Sequence, residues 1–218
     1  MQISWHGLAC FKITGKVSGQ DVTIVTDPYD NKTGLRFPRT MTADIALVSE
    51  NRPEQNNVQA IGGNPFIIKH PGEFEVAGAF IYGINIFKNG DDVKEGRRPL
   101  IYRIELEGIT IAHLGSLYRA SLKDAELAGL RDIDILTLPV GGGTVISPQQ
   151  ADNLVSQIEP RIVLPMYHHL PNLKQKFEKV DKFCKEIGVC QAERPNKLKI
   201  NKKDLPQDDM QVIVLEKA

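Results

Sequence analysis

The first half of the chain consists of short apolar runs rich in β-branched residues, several of which alternate with polar residues. Alternation with a period of two is typical of strands that bury one face, and Gly, Pro, Asn and Asp between the runs favour turns. The last two runs flank Glu107 and Gly108. The pattern predicts nine strands, at residues 3–5, 10–14, 22–26, 45–48, 66–69, 74–76, 79–87, 100–106 and 109–114.

Helical patterns begin after residue 120. In segment 121–130, Ser121 is placed to cap a helix and Asp124 to complete a capping box. A second helix is predicted after Ser147, with Pro148 at its first position and Gln150 at the capping-box position, and it should end before residue 160. Strands are predicted at 133–139 and 161–166, so that strands and helices alternate in this part of the chain.

A third helix is predicted over residues 173–187, because five apolar residues share one helical face and Gly188 follows as a terminator. These residues are Leu173, Phe177, Val180, Phe183 and Ile187. Short strands are predicted at 198–200 and 212–215. Strands first, followed by strands interleaved with helices, favour sheets that are covered by helices.

Length and charge narrow the class of protein. The chain has 218 residues, with 27 Lys and Arg against 27 Asp and Glu. This length suits one domain spanning residues 1–218, and the balanced charge gives no overall attraction to nucleic acid. A local basic excess at 174–203 is explained mainly by the solvated face of the third helix. No run approaches the roughly 18 apolar residues of a membrane span, so we expect a cytoplasmic protein without a membrane partner.

The three cysteines are scattered along the chain at Cys10, Cys184 and Cys190. They have no C-x-x-C spacing, which argues against a thiolate zinc site, and their odd number argues against a disulfide framework. We therefore expect reduced thiols.

Seven short motifs occur in an order that is more specific than any one of them. They are "ISWHGLACFKI" at the start, "TDP" at 26–28, "ADIALVS" at 43–49, "PGEFEV" at 71–76, "IAHLGS" at 111–116, "PVGGG" at 139–143 and "EPRIVLPMY" at 159–167. Together they resemble the metallo-β-lactamase superfamily, and within it the compact zinc-dependent hydrolases similar to L-ascorbate-6-phosphate lactonase.

The resemblance covers residues 1–187 and leaves 188–218 as an irregular C-terminal extension of the single domain. It implies an α/β (α+β) fold, a four-layer αββα sandwich in which two mixed sheets lie face to face with helices outside. It also implies that the metal pocket lies in a cleft at one edge of the sandwich.

The metal ligands of the family are the part that this chain does not match. The resemblance implies a His-x-His-x-Asp-His loop over residues 49–55, where the four ligand positions hold Glu50, Arg52, Glu54 and Gln55. The family's remaining ligand positions fall on Lys88, Ser116 and Tyr167. These seven residues form the predicted pocket, and every expected ligand is altered.

The altered residues change the chemistry that the pocket can perform. In the family, zinc held by imidazoles and carboxylates lowers the pKa of a bound water to about 7 and so supplies hydroxide. Arginine is always protonated and has no free lone pair, so Arg52 cannot be a ligand. We expect a metal-free network in which Arg52 and Lys88 pair with Glu50 or Glu54. Gln55, Ser116 and Tyr167 would complete its hydrogen bonds.

Two functions remain open at this point. The first is a pseudoenzyme without a metal cofactor, whose cleft binds a small anionic ligand or a partner. The tendency of the subgroup to oligomerise also implies a separate possibility, a structural or self-associating subunit that forms a homo-oligomer. The second is an active hydrolase of a lactone, ester or phosphodiester that uses zinc at an atypical site. A simpler alternative is that the charged loop at 49–57 is solvated surface.

Other residues are weaker candidates. A relocated metal site could use His6 with His113, His168 or His169, although no pair has the i,i+4 helical spacing. The glycines at 141–143 precede a helix and could bind an anion, but a turn that needs positive φ or close backbone approach explains them better, because the Lys-Ser/Thr of a phosphate-binding loop is absent. Ser116 lacks the G-x-S-x-G context of a nucleophile, and Asp27 is expected to cap a turn.

Overall fold

A computed structural model of the protein describes residues 1–86 and 99–218. Its first sheet contains six strands in the order β12-β1-β2-β3-β4-β5, with parallel pairing only between β3, β4 and β5. The strands are β1 (Gln2–Gly7), β2 (Cys10–Val17), β3 (Gln20–Thr26), β4 (Ile45–Leu47), β5 (Phe66–Ile68) and β12 (Leu198–Lys199).

The second sheet has seven strands in the order β13-β11-β10-β9-β8-β7-β6. The strands are β6 (Gly72–Val76), β7 (Ala79–Asn85), β8 (Leu100–Leu106), β9 (Ile109–His113), β10 (Ile135–Pro139), β11 (Ile162–Met166) and β13 (Gln211–Val212). In this sheet β9, β10, β11 and β13 pair in parallel, and the other pairs are antiparallel. Both sheets are mixed, as predicted, and the C-terminal segment adds one edge strand to each.

A row of isoleucines on each sheet forms the core between them. Because directly paired residues share a face, the strand registers align these side chains across each sheet. The rows are Ile3, Ile13, Ile24 and Ile45 on the first sheet, and Ile81, Ile104, Ile111, Ile135 and Ile162 on the second, and all belong to one buried cluster. The alternation of apolar and polar residues in the sequence therefore marks the strand faces that are buried between the two sheets.

Three α-helices are present among the described residues: α1 (Asp124–Ala128), α2 (Pro148–Ile158) and α3 (Val180–Ile187). They pack on the outer face of the second sheet, where Leu154, Val155 and Phe183 join a second buried cluster with strand residues. In the described ranges, the other helical segments are 3₁₀ turns at Asn31–Thr33, Val58–Ala60 and Lys202–Asp204. No helix in the described ranges is long and apolar enough to cross a membrane.

The helix starts were predicted with mixed success. For α2, Ser147 Oγ accepts from Gln150 N and Gln150 Oε1 accepts from Ser147 N, so the predicted capping box is confirmed. For α1 the prediction of Ser121 and Asp124 was wrong, because the helix is capped at Lys123, whose N–H donates to Glu126.

The third helix is shorter than predicted, since α3 begins only at Val180. The preceding segment makes its backbone hydrogen bonds with other parts of the chain instead of with itself. Lys174 N donates to Thr33 O, and Glu178 N donates to Gly141 O. The apolar residue Phe177 is buried as its position suggested, but it lies outside any helix.

The prediction of three reduced thiols was wrong for two of them. Cys184, near the end of α3, and Cys190, beyond the helix, form a disulfide, while Cys10 is free and buried. The glycine between them, Gly188, adopts a left-handed conformation with φ of 77° and turns the chain back. The two cysteines lie six residues apart, a spacing that sequence patterns for disulfides and zinc sites do not single out.

Removing this disulfide is expected to destabilise the protein by about 2 kcal/mol, because a short closed loop restricts the unfolded chain only moderately. The double substitution Cys184→Ser and Cys190→Ser should lower the melting temperature, and dithiothreitol should lower that of the natural sequence but not of the variant. Thiol titration of the denatured, non-reduced chain should count a single thiol, that of Cys10. A count of three would contradict the disulfide.

Candidate functional site

The candidate site lies where parallel strands of both sheets end. Strands β3 and β4 are parallel neighbours, so Asp27 and the loop at 49–55 emerge at the same edge of the first sheet. Strands β9, β10 and β11 are likewise parallel, so Ser116 and Tyr167 follow strands that end together. The carboxyl ends of parallel strands are a usual place for binding sites, because the loops that leave them converge.

Arg52, Glu50 and Ser116 form a closed triangle of polar contacts. Arg52 Nη2 lies 2.9 Å from Glu50 Oε2 and donates to Ser116 Oγ at 3.1 Å. Ser116 Oγ in turn donates to Glu50 Oε2 at 3.1 Å. Glu50 and Ser116 are buried, and the Arg52 side chain is 33% exposed. The pairing predicted between Arg52 and Glu50 is confirmed, and the loop is not simply solvated surface.

A second polar chain, centred on Asp27, joins the two sheets. Asp27 Oδ1 accepts from Ser49 N at 2.6 Å, and Asp27 Oδ2 accepts from Ser49 Oγ at 2.7 Å. Asp27 Oδ2 also lies 2.9 Å from His113 Nε2 on the second sheet, and His113 Nδ1 lies 2.7 Å from Thr137 Oγ1. Because a carboxylate only accepts hydrogen bonds, we assign a proton to His113 Nε2. Asp27 therefore does more than cap a turn.

Gln55 and Gly115 both lie against Ser49 in this network of hydrogen bonds. Gln55, fully buried, donates through Nε2 to Ser49 Oγ at 3.2 Å. Gly115 has a φ of 52°, and a Cβ atom there would lie only 2.4 Å from Ser49 Oγ. Glycine is thus needed where the loop after β9 meets the loop after β4.

Tyr167 is buried at the end of β11 in a left-handed conformation, with φ of 55°. Burial raises the pKa of its phenol well above the usual value, and the carboxylate of Asp27 raises it further. Its hydroxyl has no hydrogen-bond partner in the described ranges, so the predicted bond of Tyr167 is not found.

The close approach of Gly141, where a Cβ would lie 2.0 Å from Tyr167 O, explains why a glycine follows β10.

Two other predicted pocket residues have a different status. Glu54 is partly exposed and accepts from Gln175 Nε2 at 2.9 Å, so no ion pair between Glu54 and Arg52 is present. Lys88 lies outside the described residues, and its predicted role stays a prediction.

A cavity of about 290 Å³ adjoins the triangle and shares Glu50 with it. Its walls combine apolar side chains such as Val58 and Ile67 with the amide of Asn51 and with Lys69 and His70. Lys69 gives this cavity a positive charge of its own beside the candidate site.

The histidines do not assemble into the relocated metal site considered from the sequence. His113 is engaged by Asp27 and Thr137, while His6 and His168 are separately buried, and burial lowers the pKa of each to about 4. In residues 1–86 and 99–218, no group of three or more His, Cys, Asp or Glu is arranged to hold a metal ion.

Comparison with known proteins gives the family. The model of a beta-lactamase superfamily domain matches residues 2–167, which is most of the chain. The chain belongs to the metallo-β-lactamase superfamily. The predicted superfamily and its two-sheet sandwich are thereby confirmed, although helices in the described ranges cover only the second sheet.

Several relatives carry the name UPF0173 metal-dependent hydrolase. The one from Thermococcus onnurineus is 33% identical over 197 residues, covering 78% of this chain and 85% of the relative. The one from Methanopyrus kandleri is 25% identical over 227 residues, covering 87% and 94%.

A solved structure from Thermotoga maritima, described as a Zn-dependent hydrolase of the metallo-beta-lactamase superfamily, is similar over 99% of both chains. Its TM-score is 0.76 and its sequence identity to this chain is 28%.

The residues at the candidate site do not fit the zinc ion that these names imply. Zinc is held by thiolate, imidazole or carboxylate ligands. Here Glu50 is bound to Arg52 and Ser116, and Glu54 to Gln175. A guanidinium is a cation without a free lone pair, so Arg52 would repel a metal ion beside Glu50 instead of binding it.

Proposed function

We propose that this chain is a metal-independent member of the superfamily. In this proposal it binds a small anionic ligand at the triangle of Arg52, Glu50 and Ser116, which we call the Arg52 site. The observation that carries the proposal is the contact of Arg52 Nη2 with both Glu50 and Ser116. A fixed cation thus lies among the residues that the resemblance assigns to metal ligands. In this proposal the chain is a pseudoenzyme in which arginine replaces the charge of the metal.

The donors that remain at this site support an anionic ligand. Arg52 uses only Nη2 in its contacts with Glu50 and Ser116, and its Nε is buried without a hydrogen-bond partner in the described ranges. The Tyr167 hydroxyl is similarly buried and unpartnered. Buried donors without acceptors are costly, so a ligand that brings acceptor oxygens would be stabilised there. Lys69 in the adjoining cavity adds attraction for negative charge.

The alternative function is hydrolysis of a lactone, ester or phosphodiester at an atypical metal site. The names of the relatives favour it, because proteins up to 33% identical over most of this chain are named metal-dependent hydrolases. The two functions differ in whether the folded protein takes up a transition metal. The predicted cytoplasmic location, homo-oligomer and domain limits stay predictions.

Protein purified without a histidine tag is expected to carry far less than one zinc, manganese or iron ion per chain by elemental analysis. Its melting temperature should be unchanged by zinc, manganese or EDTA, since a metal bound only to the folded state would raise it. Stoichiometric metal, or a melting temperature that EDTA lowers, would contradict the proposal and favour the hydrolase.

The proposed binding of an anionic ligand is tested with the same melting assay and a panel of small carboxylates and phosphate esters. A member that stabilises the natural sequence should lose at least tenfold in affinity in the Arg52→Gln variant. Equal stabilisation of the variant would place the ligand elsewhere.

A further inference from the structure

A second cavity, which we call the α3 cavity, shares no lining residue with the Arg52 site or with the cavity that adjoins it. It has a volume of about 430 Å³ and is bordered by Trp5 of β1, His168 after β11, the first residues of α3, and the C-terminal residues Arg194 and Lys217. This volume is within the usual range of small-molecule sites, roughly 300–1,000 Å³.

The N-terminus of α3 opens onto the α3 cavity without a capping side chain. Lys179 is the N-cap residue and makes no side-chain bond to the first turn. Asp181 in that turn is paired with Arg194, whose Nη2 lies 2.5 Å from Asp181 Oδ1. The free N–H groups of a helix N-terminus, together with the helix dipole, favour an anion.

Charged side chains around the α3 cavity also favour an anion. The cations Lys179, Arg194 and Lys217 outnumber the acids Asp181 and Glu216 among its lining residues. The excess is one positive charge, which adds to the partial positive charge of the helix terminus.

His168 supplies an independent indication of a ligand. It is only 7% exposed, lines the α3 cavity, and packs against Trp5 with ring centroids 4.5 Å apart. Its Nδ1 lies 3.3 Å from the carbonyl oxygen of His169, which can only accept, so the proton of the neutral ring belongs on Nδ1. The other nitrogen, Nε2, is buried and has no partner in the described ranges.

The protonation state of the His168 ring agrees with placing its single proton on Nδ1. Burial lowers the pKa of His168 to about 4, and Arg194 lowers it in the same direction, so the imidazole is neutral near pH 7. A neutral Nε2 is an acceptor and lacks a donor. A ligand of the α3 cavity therefore has to combine anionic oxygens for the helix N-terminus with a hydroxyl hydrogen for His168.

We infer that the α3 cavity binds phosphate in a form that keeps a P–O–H group, with the hydroxyl donating to His168 Nε2 and the anionic oxygens facing the N-terminus of α3, Lys179 and Arg194. Hydrogenphosphate has both features. Sulfate has the same shape and charge but no hydrogen to donate at neutral pH, so it leaves His168 without a donor. The inference goes beyond the proposed function and does not depend on it.

Isothermal titration with inorganic phosphate and with sulfate at pH 7 tests this inference. Phosphate should bind at least tenfold more tightly than sulfate, because a site built for a donor rejects the analogue that lacks it. The double variant Lys179→Gln and Arg194→Gln should weaken phosphate binding at least tenfold. The His168→Phe variant keeps a ring against Trp5 and should abolish the preference for phosphate over sulfate.

A matched control separates this site from the surface charge of α3. Lys185→Gln removes a charge from the last turn of α3 and should bind phosphate within twofold of the natural sequence. Melting curves should show that each variant is folded. Absence of phosphate binding, equal binding of sulfate, or undiminished phosphate binding in the Lys179→Gln and Arg194→Gln double variant would each overturn the inference.

Discussion

Replacing Arg52 with alanine is expected to lower the free energy of unfolding by about 3 kcal/mol, because it removes a cation that contacts the buried carboxylate of Glu50 at 2.9 Å. The figure is at the low end for buried ion pairs, since the Arg52 side chain is 33% exposed and water screens part of the charge. For a chain of this length, the melting temperature should fall by roughly 6–12 °C. Chemical denaturation and calorimetry measure both quantities.

Two further variants distinguish the effect of the lost Arg52 charge from the effect of shortening an arginine side chain. Arg52→Ala combined with Glu50→Gln should recover part of the loss, because the buried charge is removed together with its partner. Arg39→Ala, at an exposed arginine, should change the stability by less than about 0.5 kcal/mol. If the two arginine variants are equally stable, the Arg52 contacts with Glu50 and Ser116 contribute nothing to the fold.

The sequence could predict the Arg52 contacts because they depend on local order and simple charge chemistry. Arg52 and Glu50 lie two residues apart in one loop, and Ser116 follows a strand that the ordered motifs bring to the same edge. A cation in a predicted metal site has few ways to be stabilised other than by a neighbouring carboxylate. The resemblance to the superfamily predicted the position of the pocket. The pairing of opposite charges predicted the contact between Arg52 and Glu50.

The Asp27 chain could not be predicted in the same way. Its bonds cross between sheets, from Asp27 after β3 to His113 at the end of β9 and Thr137 in β10, so they depend on how the sheets face each other. A signal was present, because Asp27 directly follows a predicted strand and His113 lies next to the end of another. Strand ends that converge on one edge are candidates for mutual contacts even when no sequence pattern joins them.

Periodicity predicted burial better than it predicted the conformation at residues 173–187. Phe177 and Phe183 are both buried, but only Phe183 is helical. The segment before α3 makes backbone hydrogen bonds to residues distant in sequence, including Thr33 and Gly141, and is not helical. Tertiary hydrogen bonds therefore overrode the helical pattern, and no local residue marks the change.

The largest loss of stability among the proposed variants is expected for Asp27→Ala, at about 4 kcal/mol, because three hydrogen bonds to one buried carboxylate are lost together. The loss should be smaller in Asp27→Asn, which keeps the shape and one acceptor oxygen. Asp44, an exposed residue whose Oδ2 accepts from Thr23 N, is the matched control, and Asp44→Ala should cost about 1 kcal/mol or less.

A double-mutant cycle shows whether Asp27 acts through the second sheet. Asp27→Ala and His113→Ala should together cost less than the sum of the two single losses, with a coupling of about 1 kcal/mol or more measured by denaturant unfolding. The reason is that each single variant already breaks the 2.9 Å contact between Asp27 Oδ2 and His113 Nε2. Additive losses would mean that Asp27 stabilises only the Ser49 loop. Coupled losses would mean that the contact between Asp27 and His113 stabilises the packing of the two sheets at the edge where Arg52 and Ser116 meet.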